Sequence, residues 1–217
     1  MENILRLYRL PYDEQYPVVC FDERPCFLIG DVVKGLELKP GQVYKQHYEY
    51  EKNGSCCLLF AIEPLTGKRL AVVCDQRRKI EYAEFMQLLA GYFPNAIKIR
   101  LVQDNLNTHN ASSFYERFDA QTAYELSQKF EFHYTPLKGS WLNAAEIEFS
   151  AIARACLQRR IPTKELLEKQ VLSCVNERQE KQITVCWKFS LTDARRKLNR
   201  HYVKINPENE KHKDKLI

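Results

Sequence analysis

Short apolar runs punctuate the first half of the chain: VVCF (18–21), CCLLFAI (56–62), LAVVC (70–74) and AIKIRLV (96–102). Runs of that length, rich in valine, isoleucine and leucine and bounded by polar residues, read as strands buried in a sheet. PVVCFDER (17–24) predicts a strand ending at Asp22, and AIKIRLVQD (96–104) predicts one ending at Asp104, its isoleucines alternating with Lys98 and Arg100. HYEYEKNGSCCLLFAIEP (47–64) predicts a strand, a turn at Asn53-Gly54 and a second strand, because Asn-Gly is a strong two-residue hairpin signal. In the first arm Tyr48 and Tyr50 alternate with Glu49 and Glu51, the pattern of an edge. KRLAVVCD (68–75) predicts a further strand.

Helical periodicity takes over between and after these runs. Tyr82, Phe85, Leu89 and Phe93 recur at helical spacing over 80–93, and Pro94 stops the helix. Residues 111–130 read as mostly helical, 130–136 as a short strand, 141–160 as one long helix, and a further helix starts near Thr163 and runs toward Glu180. ITVCWKF (183–189) looks extended, and Thr192-Asp193 is expected to cap a basic helix reaching about Tyr202. The charged end, NPENEKHKDKLI, is expected to fray. The order is mixed α/β. Neither G-x-G-x-x-G nor G-x-x-x-x-G-K occurs among only seven glycines, which weighs against a nucleotide-binding fold.

No run of eighteen apolar residues is present, so no membrane span is predicted. The start, MENILRLYRLPYDE, lacks an apolar signal core, and a cytoplasmic protein (the bacterial cytosol) is the expectation. The eight cysteines form no C-x-x-C pair and sit mainly in apolar segments, where cysteine acts as a small hydrophobe; reduced core thiols are expected. Charge is unevenly spread. From Arg154 onward there are 16 Lys/Arg against 8 Asp/Glu, a net of +8, whereas the preceding residues hold 17 against 20. An acidic front and a basic back suit an acidic site beside a polyanion-binding surface, and equally a solvated basic tail.

The acids of interest stand where apolar strands stop. A carboxylate there is held rigidly yet reaches a cleft, as metal coordination requires, although aspartate is also a common turn residue. Asp104 opens DNLNTH, a polar loop with Asn105, Asn107, Thr108 and His109 directly after a buried strand. Further on, GSWLNAAEIEF (139–149) carries Glu146 and Glu148 in an otherwise apolar stretch. Leu142, Ala145, Phe149, Ile152 and Cys156 make one apolar stripe, and the two glutamates lie on opposite flanks of it, roughly 80° from its centre at 100° per residue. Periodicity leaves them tied. Glu146 shares its flank with Asn143, Ser150 and Arg154, a polar wall; Glu148 shares its flank with alanines.

With these acids goes a resemblance. PYDEQYPVVCFDE, YEYEKNG, EPLTGKR, LVQDNLNTH, FEFHYTPLKGSWLNAAEIEFS and RACLQRRIP follow one another as in the mariner-related insertion-sequence 630 transposases. The combination DN-x-x-x-H followed by H-Y-T-P-x-x-G-S-W-L-N-x-x-E resembles that family specifically, over nearly the whole chain. The resemblance implies an Asp-Asp-Glu (DDE) catalytic core: an α/β, ribonuclease H-like mixed sheet flanked by helices, with a basic, helical C-terminal extension. It places the acids on Asp22, Asp104 and Glu146, with 41 residues between the last two. Glu23 is a fallback for the first position, because a bulge could reverse the facing, and Glu148 for the third. Asn105, His109, Asn143 and Arg154 are candidates for supporting or phosphate contacts. The implied parts are a lead-in over 1–16, a core over 17–160, a helical extension over 161–205 and a tail over 206–217.

Three carboxylates around two divalent ions suit phosphodiester chemistry, and hard oxygen ligands favour Mg²⁺ with Mn²⁺ as substitute. The implied activity is cleavage and joining of DNA strands, and the implied partners are transposon-end and target DNA and a second copy in a synaptic dimer. Full-length relatives begin with helix-turn-helix modules that MENILRLYRL does not supply, so the chain resembles the second frame of a split gene or a trimmed catalytic core. End recognition is then expected from a separate helix-turn-helix polypeptide. Two other readings stay open: a silent DNA-binding remnant, and a ribonuclease H-like nuclease acting on RNA–DNA hybrids.

Overall fold

The computed structural model describes residues 1–33, 41 and 47–209. Five strands form one sheet in the order β3-β2-β1-β4-β5, with β1 Val18–Asp31, β2 Tyr50–Ile62, β3 Arg69–Cys74, β4 Ile99–Gln103 and β5 Phe130–Tyr134. The first three pair antiparallel; β4 and β5 join parallel to β1. This is the mixed, helix-flanked sheet expected of a ribonuclease H-like core.

Strand alternation divides the interior into two cores. Val19, Phe21, Leu59, Ala61 and Leu101 face α2 (Lys79–Tyr92), α3 (Ser112–Arg117) and α4 (Ala120–Lys129). Cys20, Leu58, Phe60, Ile62 and Val102 face α5 (Ala145–Ile152) and α6 (Lys164–Glu180). Covered on both sides, the centre of the sheet needs continuous apolar runs, and Cys56–Ile62 is buried throughout. The first helix, α1 (Glu2–Leu7), belongs to the second core: Ile4, Leu5 and Leu7 are buried there beside Leu142 and Ala144. All eight cysteines are free thiols, five of them buried. No described helix is long and apolar enough to cross a membrane.

Several expectations need correction. Asn53-Gly54 is not a hairpin turn. β2 runs straight through it, and the register with β1 shifts between Leu28, opposite Gly54, and Ile29, opposite Lys52. Asn53 is thus the extra residue of a bulge, and Gly54 takes the φ of +113° that glycine tolerates; the same permissiveness that signals a turn serves the bulge. Nor does β1 stop at Asp22. Only its parallel ladder to β4 stops, at Cys20, while antiparallel pairing with β2 carries it to Asp31.

The helical stretch 111–130 breaks in two where Phe118 turns extended, and the Asp119 carboxylate caps α4 by accepting from the Gln121 and Thr122 amides. The long helix expected over 141–160 is a 3₁₀ turn at Ser140–Leu142, α5 proper, and a π-helical turn at Ala153–Leu157. Thr163 caps α6. The last helices are α7 (Leu191–Lys197) and α8 (Asn199–Ile205), and Ser190 caps α7 in a reciprocal box with Asp193, displacing Thr192 from the expected role. Of the tail, residues 210–217 lie outside the described residues.

Candidate active site

Alternation along β1 sends neighbouring acids to opposite faces. Asp22 shares the face of Cys20, toward α5; Glu23 shares the face of Phe21, toward α2 and α3. The β1–β2 register is unbroken from Cys20 to Leu28, so no bulge reverses the two. Because β4 ends one residue past its last pairing with β1, Asp22 lies at a notch beside the end of β4, where Asp104 follows directly.

Glu146 reaches this notch from the first turn of α5. Asn143 aims that turn: its buried side chain donates to the Phe21 carbonyl at 2.7 Å and to Asp22 Oδ2 at 3.3 Å, while its own Oδ1 accepts from the Ala145 amide at 3.2 Å. Asp22 Oδ1 accepts from the Glu23 amide at 2.8 Å. Burial, reinforced by the Glu146 and Asp104 charges, pushes the Asp22 carboxyl up to about 7 despite that amide and the nearby His109. Three carboxylates thus converge at a cost in repulsion.

Asp104 is held from behind. His109 Nδ1 lies 2.5 Å from its Oδ1, and His109 Nε2 lies 3.3 Å from Glu23 Oε2. Burial alone would lower the His109 pKa, but the hydrogen bonds and charges of Asp104 and Glu23 more than offset it and hold it up at about 9. The His109 bond in turn holds the Asp104 carboxyl low. The imidazole is fixed by its stack on Tyr82, 5.0 Å between centroids, and by its backbone carbonyl, which accepts from Gln103 Nε2 at 2.9 Å and Tyr134 Oη at 3.0 Å. Arg77 Nη1 donates to Glu23 Oε1 at 3.1 Å, a partner the sequence reading missed; its signal was a basic QRRK turn following β3.

Glu148 points the other way. It is 1% exposed and takes Arg69 Nε at 2.8 Å, Arg178 Nε at 3.0 Å and Arg178 Nη2 at 2.8 Å. Arg69 also donates to the Gly67 and Ile183 carbonyls, so this cluster ties β3, α5 and α6 together. Asn105 and Arg154 are both exposed, and among the described residues neither is hydrogen-bonded or ion-paired to the three acids.

Among the described residues no three His, Cys, Asp or Glu side chains are placed closely enough to hold a metal ion as they stand. The donor chemistry still fits a hard divalent cation. The converging groups are carboxylate oxygens whose mutual repulsion such a charge would relieve, and the one nearby imidazole is engaged by Asp104 and Glu23.

The DDE superfamily endonuclease family model matches residues 17–168, which takes in all three acids and both arginine-clamped and open glutamates of α5. The chain belongs to the DDE superfamily of endonucleases. Among solved structures, this DDE domain is similar to the Mos1 strand transfer complex with a TM-score of 0.52 at 16% identity, over 84% of this chain and 58% of that one. The Mos1 mariner paired-end complex with Mn gives 0.50 at 14%, over 83% and 57%, and the Mos1 paired-end complex with left transposon end gives 0.50 at 15%, over 84% and 60%. At these identities the likeness is one of fold, and the chain spans under two thirds of those proteins. No curated protein matches the sequence.

Proposed function

We propose that this DDE domain is the catalytic core of a mariner-related transposase of the insertion-sequence 630 kind, cleaving DNA strands and joining them to new ones. The observation that carries the reading is the placement of Asp22 near both Asp104 and Glu146, whose charges add to burial in pushing the Asp22 carboxyl up. Asp22, Asp104 and Glu146 would hold the metal, Mg²⁺ or in its place Mn²⁺. When bound, a pair of divalent ions supplies charge to the attacking and leaving oxygens of an in-line phosphodiester displacement.

The protein's own part is placement. His109 holds Asp104 ionised and oriented through Nδ1, with Glu23 and Arg77 behind it. Asn143 couples the start of α5 to Asp22, so the first and third acids are positioned through one side chain. Arg195, Arg196 and Lys197 crowd the last turn of α7 and Lys204 lies in the last turn of α8, a basic extension suited to a phosphate backbone. DNA ends and target DNA are the proposed substrates, and a synaptic dimer is the proposed assembly. The proposed setting is the bacterial cytosol, and the proposed parts are a core over 17–160 and an extension over 161–205.

The test is nicking of supercoiled DNA with Mg²⁺ or Mn²⁺ by the wild-type chain, Asp104→Asn and Glu146→Gln. The expected result is metal-dependent nicking by wild type alone. Wild type indistinguishable from both variants would leave a silent DNA-binding protein, and preferential cutting of RNA–DNA hybrids would reassign the substrate.

A further inference from the structure

Tyr8 closes α1, some 130 residues from the catalytic helix in sequence, and its hydroxyl lies against the start of that helix. The hydroxyl donates to the Leu142 carbonyl at 2.7 Å and accepts from the Ala144 amide at 3.2 Å, so it grips the peptide on both sides of Asn143. It also lies 3.2 Å from Cys20 Sγ, on the strand that carries Asp22. One hydroxyl therefore spans the two elements that the Asn143 side chain joins.

The turn it grips is also held by the Asn143 side chain and by the Leu142 and Asn143 amides, which donate to Gly139 and Ser140, but no other side-chain hydroxyl bridges Leu142 and Ala144 among the described residues. Asn143 is extended, at φ −84° and ψ 117°, between a 3₁₀ turn and α5, and Ala144 offers no capping side chain. The Tyr8 ring is kept in place by Trp187, 4.7 Å between centroids, and by the apolar face of α1, with Ile4 and Leu5 each 1% exposed. Glu2 further ties α1 to the extension through Arg195 at 2.8 Å and Tyr202 at 2.7 Å.

We propose that Tyr8 is a positioning residue of the carboxylate site: its hydroxyl sets the Leu142–Ala144 turn so that Asn143 aligns Asp22 with the helix bearing Glu146. The proposal rests on the reading of Asp22 and Glu146 as metal ligands. It also gives the first helix a task in the site, because the groups that orient metal ligands set affinity as the ligands themselves do.

The discriminating variant is Tyr8→Phe, which deletes the hydroxyl and keeps the ring on Trp187. Mn²⁺ binding is followed by electron paramagnetic resonance on the full chain, beside thermal unfolding and DNA nicking. Loss of an orienting group behind a ligand typically weakens metal binding about tenfold or more, and that is the expected shift for Tyr8→Phe. The kcat for nicking should fall at low Mn²⁺ and recover at high Mn²⁺, with KM for DNA unchanged. Tyr202→Phe, which loosens α1 away from the site, should bind Mn²⁺ as wild type does.

Wild-type Mn²⁺ affinity in a folded Tyr8→Phe chain overturns the proposal, as does an equal loss in Tyr202→Phe. If Tyr8→Phe does not fold, Trp187→Ala, which removes the ring that holds Tyr8 against the turn, takes its place, and unchanged affinity in that folded chain overturns the proposal equally. Failure of the underlying site looks different: wild type itself would bind Mn²⁺ no better than Asp104→Asn or Glu146→Gln.

Discussion

Glu146 and Glu148 lie two residues apart on one turn of α5, and the fold treats them as opposites. Glu146 is exposed at the notch, and among the described residues no ion pair holds its carboxylate. Glu148 is sealed against the sheet, with an arginine 0% exposed on one side and a second arginine bonding both its oxygens. A carboxylate meant to hold a cation must be left unsatisfied by the protein. One meant to join elements must be fully satisfied, because an unpaired buried charge is prohibitive. The pair sits on opposite flanks of one helix, one carboxylate left open and the other fully paired.

The sharpest way to break that contrast is to neutralise each acid. Glu146→Gln should lower metal-dependent nicking on the order of a thousandfold, several kcal/mol of transition-state stabilisation. Its melting temperature should stay at the wild-type value. Glu148→Ala should do the reverse, costing about 3–5 kcal/mol by stranding Arg69 in the interior. Calorimetry should then show Tm lower by roughly 10 °C. Nicking per folded molecule, measured well below that Tm, should change far less than in Glu146→Gln. A Glu148 variant with normal Tm would dissolve the distinction.

The two acidic regions should also pull stability in opposite directions with pH. Burial works against the Glu148 charge, but Arg178 and Arg69 overcome it and keep its pKa below the usual 4.5. Its contribution is complete above that value and is lost as pH falls through the lowered pKa. The Asp22 carboxyl is raised from 3.8 to about 7, so the folded metal-free chain holds that proton more tightly than the unfolded chain. Stability from this group falls as pH rises across that window. Chemical denaturation of metal-free Asp22→Asn should therefore show a stability gain over wild type at pH 8 that shrinks toward pH 4.

The smallest effect is expected at the rim of the clamp. Arg178→Lys keeps the charge but loses the two-pronged contact, and at a partly exposed side chain it should cost about 1 kcal/mol in denaturant unfolding.

Much of this was legible in advance, for definable reasons. The apolar runs that become the inner strands are buried on both faces, so their composition alone marks them. The stripe of Leu142, Ala145, Phe149, Ile152 and Cys156 is buried as the helical spacing requires. The strand end before Asp104 was legible, since β4 does stop at Gln103. A strand end was expected at Asp22, but β1 continues to Asp31 there and only its pairing with β4 stops. Asn53-Gly54 misled because bulge and turn ask for the same backbone freedom. The partners of Glu148 were out of reach: Arg69 lies 79 residues away and Arg178 lies 30.

By itself the sequence determined the kinds of element, the buried faces and the residue types able to hold a cation, since these follow from periodicity and side-chain chemistry within a few turns of chain. Which acid faces which, that His109 stands between Asp104 and Glu23, and that Tyr8 reaches the start of α5 were decided only by tertiary structure. Those relations depend on strand order and register, which bring distant residues within hydrogen-bonding distance, and no local pattern encodes that distance.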